Sequence, residues 1–148
     1  MLAVPSYVIH KVAQHGQRVL ADALAPHQLA LPHFAVLNAL RDLGPLAQHE
    51  LADHLHIHAS HLVRHLDETE RRELVRRERD PGDRRRLRVA ITPAGDALIA
   101  ELAPAVDRAE QATLRALSPA ERETLTALMA RVLAEHDQLT PKARAVSC

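Results

Sequence analysis

The chain has 148 residues, zero formal net charge, 47% hydrophobic side chains and two aromatic rings, Tyr7 and Phe34. That length suits one domain, able to bury roughly 68–70% of its unfolded surface without staples, and a core built of Leu, Ala and Val favours helices packed on helices. The only cysteine is Cys148, which excludes an intramolecular disulfide, a zinc ribbon and a Cys-x-x-Cys redox site.

The N-terminal stretch MLAVPSYVIHKV lacks the basic start and long apolar run of a signal peptide. No apolar run reaches the ~18–20 residues of a membrane span. A cytoplasmic location with no membrane partner is therefore expected, and the lack of disulfides fits it. Residues 6–24 carry Val8, Ile9, Val12, Val19, Leu20 and Leu24 at helical spacing, closed by Pro26. Pro32 suits the first turn of a second helix, PHFAVLNALRDL, ended by Gly44-Pro45. A short helix follows at 48–55 and another at about 59–72. LVRRERD (74–80) and LRVAIT (87–92) then alternate apolar and polar residues around PGDRRR, the pattern of a β-hairpin with a basic tip. Thr92-Pro93 opens a long helix as N-cap and first residue. Ser118-Pro119-Ala120-Glu121 is a capping box opening a last helix, with Leu125, Leu128, Met129, Val132 and Leu133 on one face. TPKARAVSC (140–148) reads as a tail.

The expected fold is mainly α with a small β-hairpin. Helix-turn-helix followed by a hairpin is the winged-helix arrangement. The long flanking helices carry more apolar surface than such a lobe needs, which predicts pairing of two chains. The charge distribution agrees with a nucleic-acid partner. Residues 64–88 hold ten arginines against seven acids, an excess of +3 balanced by −3 elsewhere. Arg84, Arg85, Arg86 and Arg88 fall in five residues without an acid, and a local field is what a phosphate feels.

Element order and residues resemble the MarR family of bacterial transcription regulators over essentially the whole chain. RDPGDRRRLRVAITPAG (79–95) looks like that family's wing: an Asp-x-Arg tip, a strand, then Ile-Thr-Pro-x-Gly entering a long helix. ELADHLHIHASHLVRHLDETERRELVRR (50–77) looks like its helix-turn-helix, and 118–121 like the start of its dimerisation helix. The resemblance implies a single domain over 1–148, with a DNA-binding lobe at about 32–92 and helical dimerisation regions at 1–31 and 93–140. It also implies a homodimer on palindromic double-stranded operator DNA, usually a repressor, and in many members a small phenolic or aromatic ligand that releases the DNA. Two positions depart from the family pattern. His56 stands in the turn before the recognition helix and Glu73 in the turn after it, where glycines are usual and φ > 0 costs other residues about 1 kcal/mol or more.

In the helix beginning near 59, Leu62, Val63, Leu66 and Thr69 form the expected inward stripe. His61, Arg64, His65 and Glu68 fall opposite, with Ser60 beside them. A recognition helix puts its N-terminal residues in the major groove, where Arg64 suits guanine O6 and N7 and Ser60, His61 and His65 suit base edges or phosphate. Asp67, Glu68 and Glu70 would repel phosphate, so contact should stop after two turns. Arg84, Arg85 and Arg86 at the wing tip suit phosphates or the minor groove. In the family pattern Asp83 shapes the tip and Arg85 reaches the groove. Leu51, Ala52 and Leu55 should brace the recognition helix, and Gln48 or His49 stands where it could touch phosphate.

An effector cleft would draw on Tyr7, His10, Lys11, Gln14, His33 and Phe34: aromatics to stack, cations to pair with a carboxylate. The first helix lacks the cysteine of peroxide-sensing relatives. Eleven histidines leave a zinc-responsive regulator as an alternative, although residues 1–49 hold only two acids, Asp22 and Asp42. No Gly-rich phosphate loop, Gly-x-Ser-x-Gly or His-Glu-x-x-His occurs, so neither an enzyme nor a cofactor is expected. A structural helical dimer without DNA specificity is the non-regulator alternative. In HLHIHASH (54–61), His54 and His58, with His61 and the later His65, would form one stripe on an unbroken helix. The winged-helix reading splits them between the bracing helix, the turn and the groove face, so no metal cluster is expected there. Protonated His61 or His65 would favour phosphate, so DNA affinity is expected to rise as pH falls through ~6.5.

Overall fold

The computed structural model describes residues 4–144, with side chains over 4–136. The elements are α1 (Pro5–Leu24), a 3-10 turn (Ala25–His27), α2 (Leu31–Leu43), β1 (Leu46–Ala47), α3 (Gln48–His54), α4 (Ala59–Arg71), β2 (Val75–Arg79), β3 (Leu87–Ile91), α5 (Pro93–Thr113) and α6 (Pro119–Arg144). The chain through Thr113 forms one compact unit, and the chain from Leu114, essentially α6, forms a second. α6 runs into the stretch read as a tail, while Cys148 lies outside the described residues.

The expected helices and hairpin are present. β1 is the addition: two residues pair antiparallel with β3, Leu46 opposite Val89 and Ala47 opposite Arg88, giving the strand order β1-β3-β2. β2 and β3 pair from Val75–Ile91 to Arg79–Leu87, so the chain between them is the wing tip. One apolar core joins the end of α1 (Leu24), α2 (Val36, Leu37, Leu40), α3 (Leu51), α4 (Leu62, Leu66), the sheet (Val75, Val89) and α5 (Ile99, Leu102). Within the expected inward stripe of α4, Leu62, Leu66 and Thr69 are buried, but Val63 is 37% exposed. The inward arc is thus narrower than expected, because α4 rests on α2, α3 and β2 and leaves its Val63 side open.

Both unusual turns keep the left-handed backbone without a glycine. His56 has φ 51° and Glu73 φ 57°. For Glu73 the surroundings fix that conformation. Thr92 Oγ1 donates to Glu73 O at 2.6 Å, the Thr92 N–H donates to Leu74 O at 3.0 Å, and Thr92 Oγ1 accepts the Gly95 N–H at 3.0 Å. Thr92 therefore caps α5, as its sequence context predicts, and also ties α5 to the turn after α4. Gly95 makes that approach possible, since a Cβ there would lie 2.2 Å from Leu74 O.

The α6 capping box forms as expected: the Ser118 N–H donates to Glu121 Oε2 at 2.8 Å and the Glu121 N–H to Ser118 Oγ at 3.4 Å. Leu128, Val132 and Leu133 on α6 stand 46–61% exposed, and Tyr7, Val8, Ile9 and Val12 on α1 stand 43–44% exposed.

Candidate nucleic-acid interface

The candidate interface comprises the N-terminal end of α4 and the wing. α4 starts with an unexpected cap. His58 has extended backbone, its Nδ1 accepts the Ser60 N–H at 3.3 Å, and that same nitrogen lies 2.7 Å from Ser60 Oγ. Histidine rarely serves as a cap, so neither composition nor spacing announced it. The interaction also holds the Ser60 hydroxyl against His58. The His58 and His61 rings meet edge to face with centroids 6.2 Å apart. Ser60, His61 and Arg64 are all exposed on this end of the helix.

His65 is placed differently. It is half-buried and turned toward α2, where its ring meets His33 at 5.4 Å between centroids and 73° between planes. Burial, and then His33, lower its pKa from the ordinary 6.5. A charged His65 offered to phosphate near pH 6.5 does not fit this placement, which leaves His61 as the exposed imidazole of that pair.

The acids of α4 are held by bases of the scaffold. Arg77 on β2 donates from Nη2 to Asp67 at 2.7 Å and from Nη1 to Glu70, whose other oxygen accepts the Arg77 N–H at 3.0 Å. Burial disfavours the Arg77 charge, but the two carboxylates outweigh it and raise the guanidinium above its ordinary value. Glu68 approaches His33 Nε2 at 2.7 Å. Repulsion of phosphate by Asp67 and Glu70 is thus offset locally. At the far end of α4, Arg72 donates to the carbonyls of Gln28 at 2.7 Å and His27 at 3.2 Å, fixing the helix to the α1–α2 connection. Sequence alone did not flag Arg72 or Arg77, because their partners lie on other elements.

Two aspartates shape the wing tip. Asp80 Oδ1 accepts the N–H groups of Gly82 at 2.7 Å and Asp83 at 3.3 Å, and Asp83 Oδ1 accepts the Arg85 N–H at 3.0 Å. The Gly82 hydrogen bond is the main cause of a lowered Asp80 pKa. Arg86 pairs loosely with Asp83 at 3.6 Å, and Arg88 with Asp80 at 3.7 Å while also donating to Pro45 O. The exposed guanidinium groups of Arg84 and Arg85 have no hydrogen bond or ion pair among the described residues.

The bracing helix α3 buries Leu51 and Ala52 and half-buries Leu55, while Gln48 is half-buried and His49 exposed at its start. The residues considered for an effector fall into two groups. Tyr7, His10 and Lys11 lie on the exposed first half of α1, with Lys11 Nζ 5.7 Å from the Tyr7 ring centroid. His33 turns to α4, and Phe34 packs against the core. A separate groove between α1 and α5 has Val19, Ala23 and Ala109 on its walls and His27 and Arg108 at its polar side.

Comparison with known proteins agrees with this geometry. The sequence model of the MarR family matches residues 29–87, the segment holding α2 to the wing tip. The HTH-type transcriptional repressor NicR of Pseudomonas putida is 28% identical over 127 residues, covering 86% of this chain and 80% of NicR. A mutant MarR of E. coli, solved in complex with operator DNA, superposes with a TM-score of 0.77 at 29% identity, covering 86% of this chain and 92% of that one. BpsR of Bordetella bronchiseptica, solved to explain regulation of its DNA binding by 6-hydroxynicotinic acid, gives 0.79 at 26% identity over 89% and 94%. With residues 29–87 matched in sequence and the fold matched over almost nine-tenths of its length, this chain is similar to the MarR family of transcription regulators.

Proposed function

We propose that this chain acts as a homodimer that binds a palindromic operator sequence-specifically and represses transcription. The observation that carries this reading is the distribution of cations. Arg64 on α4 and Arg84 and Arg85 on the wing are exposed and unpaired among the described residues, while the neighbouring acids Asp67 and Glu70 are engaged by Arg77. In this reading Ser60, His61 and Arg64 contact base edges and phosphates in the major groove. Arg84, Arg85 and Arg86 lie on the flanking phosphates or minor groove. His65 acts from the second row, by supporting the helix. The exposed apolar faces of α1 and α6 support pairing of two chains, and a two-fold dimer calls for two half-sites about 34–36 Å or a multiple apart.

Release by a small aromatic acid is part of the same proposal. It is supported by likeness to BpsR and by the Tyr7–Lys11 pair, with His10 beside it. The α1–α5 groove with Arg108 and His27 offers a second cationic, apolar-walled place for such a ligand. Footprinting on the DNA upstream of the protein's own gene, combined with a salt-titrated shift assay, tests the reading. A regulator protects one palindrome and loses affinity steeply with salt. Binding that is equal on competitor DNA would instead support a helical dimer without DNA specificity. Calorimetry with a panel of aromatic acids tests the ligand, and an absence of binding refutes that part.

A further inference from the structure

We propose that His33, His65 and Glu68 form a binding site for a divalent transition-metal ion of the zinc class, bridging α2 to the recognition helix α4. Three observations carry it. The donor atoms of the three side chains lie within 4.8 Å of one another. Both ring nitrogens of His33 and Nδ1 of His65 are shielded from solvent and have no hydrogen-bond partner among the described residues. His33 Nε2 and Glu68 Oε2 approach to 2.7 Å without the alignment of an N–H···O bond. Donor atoms that converge without a hydrogen bond between them are what a Lewis acid needs.

The local chain geometry favours chelation. His65 and Glu68 stand three residues apart, so they project from the same side of one α4 turn. His33 comes from α2 opposite, with its side chain only 12% exposed. Two imidazoles and a carboxylate suit zinc and its late first-row neighbours. Bonds of about 2.0 Å in a tetrahedral ion place donors roughly 3.3 Å apart, so the His33–Glu68 pair at 2.7 Å would open slightly and the longer separations, within 4.8 Å, would shorten. Three protein ligands leave a fourth position for water or a further donor. None of HLHIHASH takes part; the trio joins residues 32 positions apart in the chain.

An ion here has a consequence that rests on the DNA-binding reading above. It fixes the helix turn immediately after Arg64 to the scaffold and turns the negative charge of Glu68 into a net positive centre beside His61 and Arg64. Metal and DNA should then each strengthen the other's binding by the same factor.

The site is tested without DNA. Full-length protein stripped with a chelator is titrated with Co²⁺, followed by its visible absorption, and then with Zn²⁺ in competition. The expected result is one ion per chain with four-coordinate absorption, displaced by Zn²⁺. Affinity should fall more than ~tenfold in His33→Gln and in Glu68→Gln and be retained in His49→Gln and His54→Gln. Zn²⁺ should raise the melting temperature of the wild type and leave that of Glu68→Gln unchanged. The Glu68→Gln variant is nearly isosteric at a partly exposed position, so it keeps the fold. No cobalt spectrum, or one that survives both ligand substitutions, overturns the site. A shift assay with and without Zn²⁺ then tests the coupling. Metal binding without any DNA binding would refute the DNA reading and leave the site standing.

Discussion

Gly95→Ala tests whether the contact between α5 and the turn after α4 is as tight as the geometry requires. The added methyl would lie 2.2 Å from Leu74 O, 2.8 Å from Ile91 Cγ1 and 3.1 Å from the Leu74 carbonyl carbon. The first distance is about 0.8 Å inside the 3.0 Å that real Cβ atoms keep, and the obstructing atom is backbone rather than a flexible side-chain tip. That oxygen also accepts the Thr92 N–H, so moving it disturbs the cap of α5. Overpacking of this kind costs typically 1–3 kcal/mol and occasionally more. Alanine's better helix propensity returns up to about 1 kcal/mol. A net loss of about 2 kcal/mol is expected, or roughly 4–8 °C in Tm for a chain of this size. Urea unfolding followed by far-UV circular dichroism, at one fixed protein concentration, measures it. A loss below ~0.5 kcal/mol with an unchanged m-value would refute the argument, because it would mean that the turn and α5 separate at little cost.

Arg85→Ala should weaken DNA binding on all sequences alike and lower the slope of log K against log salt by about one unit, and an unchanged slope removes Arg85 from the phosphates. Arg77→Met should act differently. It frees Asp67 and Glu70 near the interface, so affinity should fall by roughly tenfold (about 1.4 kcal/mol) with the salt slope unchanged; a changed slope would make Arg77 a direct contact. Glu73→Gly should relieve a left-handed residue costing ~1–2 kcal/mol while adding ~0.5–1 kcal/mol of unfolded-chain entropy, for a net gain of about 0.5–1 kcal/mol in urea unfolding. Asp80 has a lowered pKa, so its support of the wing tip is present above its ordinary value of 3.8 and is lost only as pH falls through the lower folded value. The Gly82 amide NMR resonance should therefore hold steady from neutral pH down to about 4 and move only below it, and movement near pH 5–6 would contradict the hydrogen bond from that amide.

Local chemistry was the legible part. Thr92-Pro93 and Ser118 to Glu121 announce helix starts through side chains three residues from their partners, and the wing declares itself through alternation around PGDRRR. β1 escaped because two residues carry no period, and only β3 makes them a strand. The exposed cations Arg64, Arg84 and Arg85 stand where the helical face and the hairpin tip predict. His65 does not, because helical periodicity gives the side of α4 on which a residue lies but not what neighbours that side. Only the packing of α2 against α4 supplies His33 there. His56 and Glu73 were legible as departures, but not their outcome. The surrounding hydrogen bonds keep the glycine-like backbone at Glu73 even with the side chain present.

The hydrogen bonds of Thr92 have a mechanical meaning. One side chain grips the carbonyl that ends the α4 turn, its backbone grips the next carbonyl, at the entrance to β2, and the same hydroxyl starts α5. Arg77 fastens the wing to α4 from the other side. Helix and wing are thereby joined as one jaw, with α5 as its handle. Any shift of α5 would carry that jaw whole, and in the dimer proposed above it would alter the distance between two jaws rather than the bite of each.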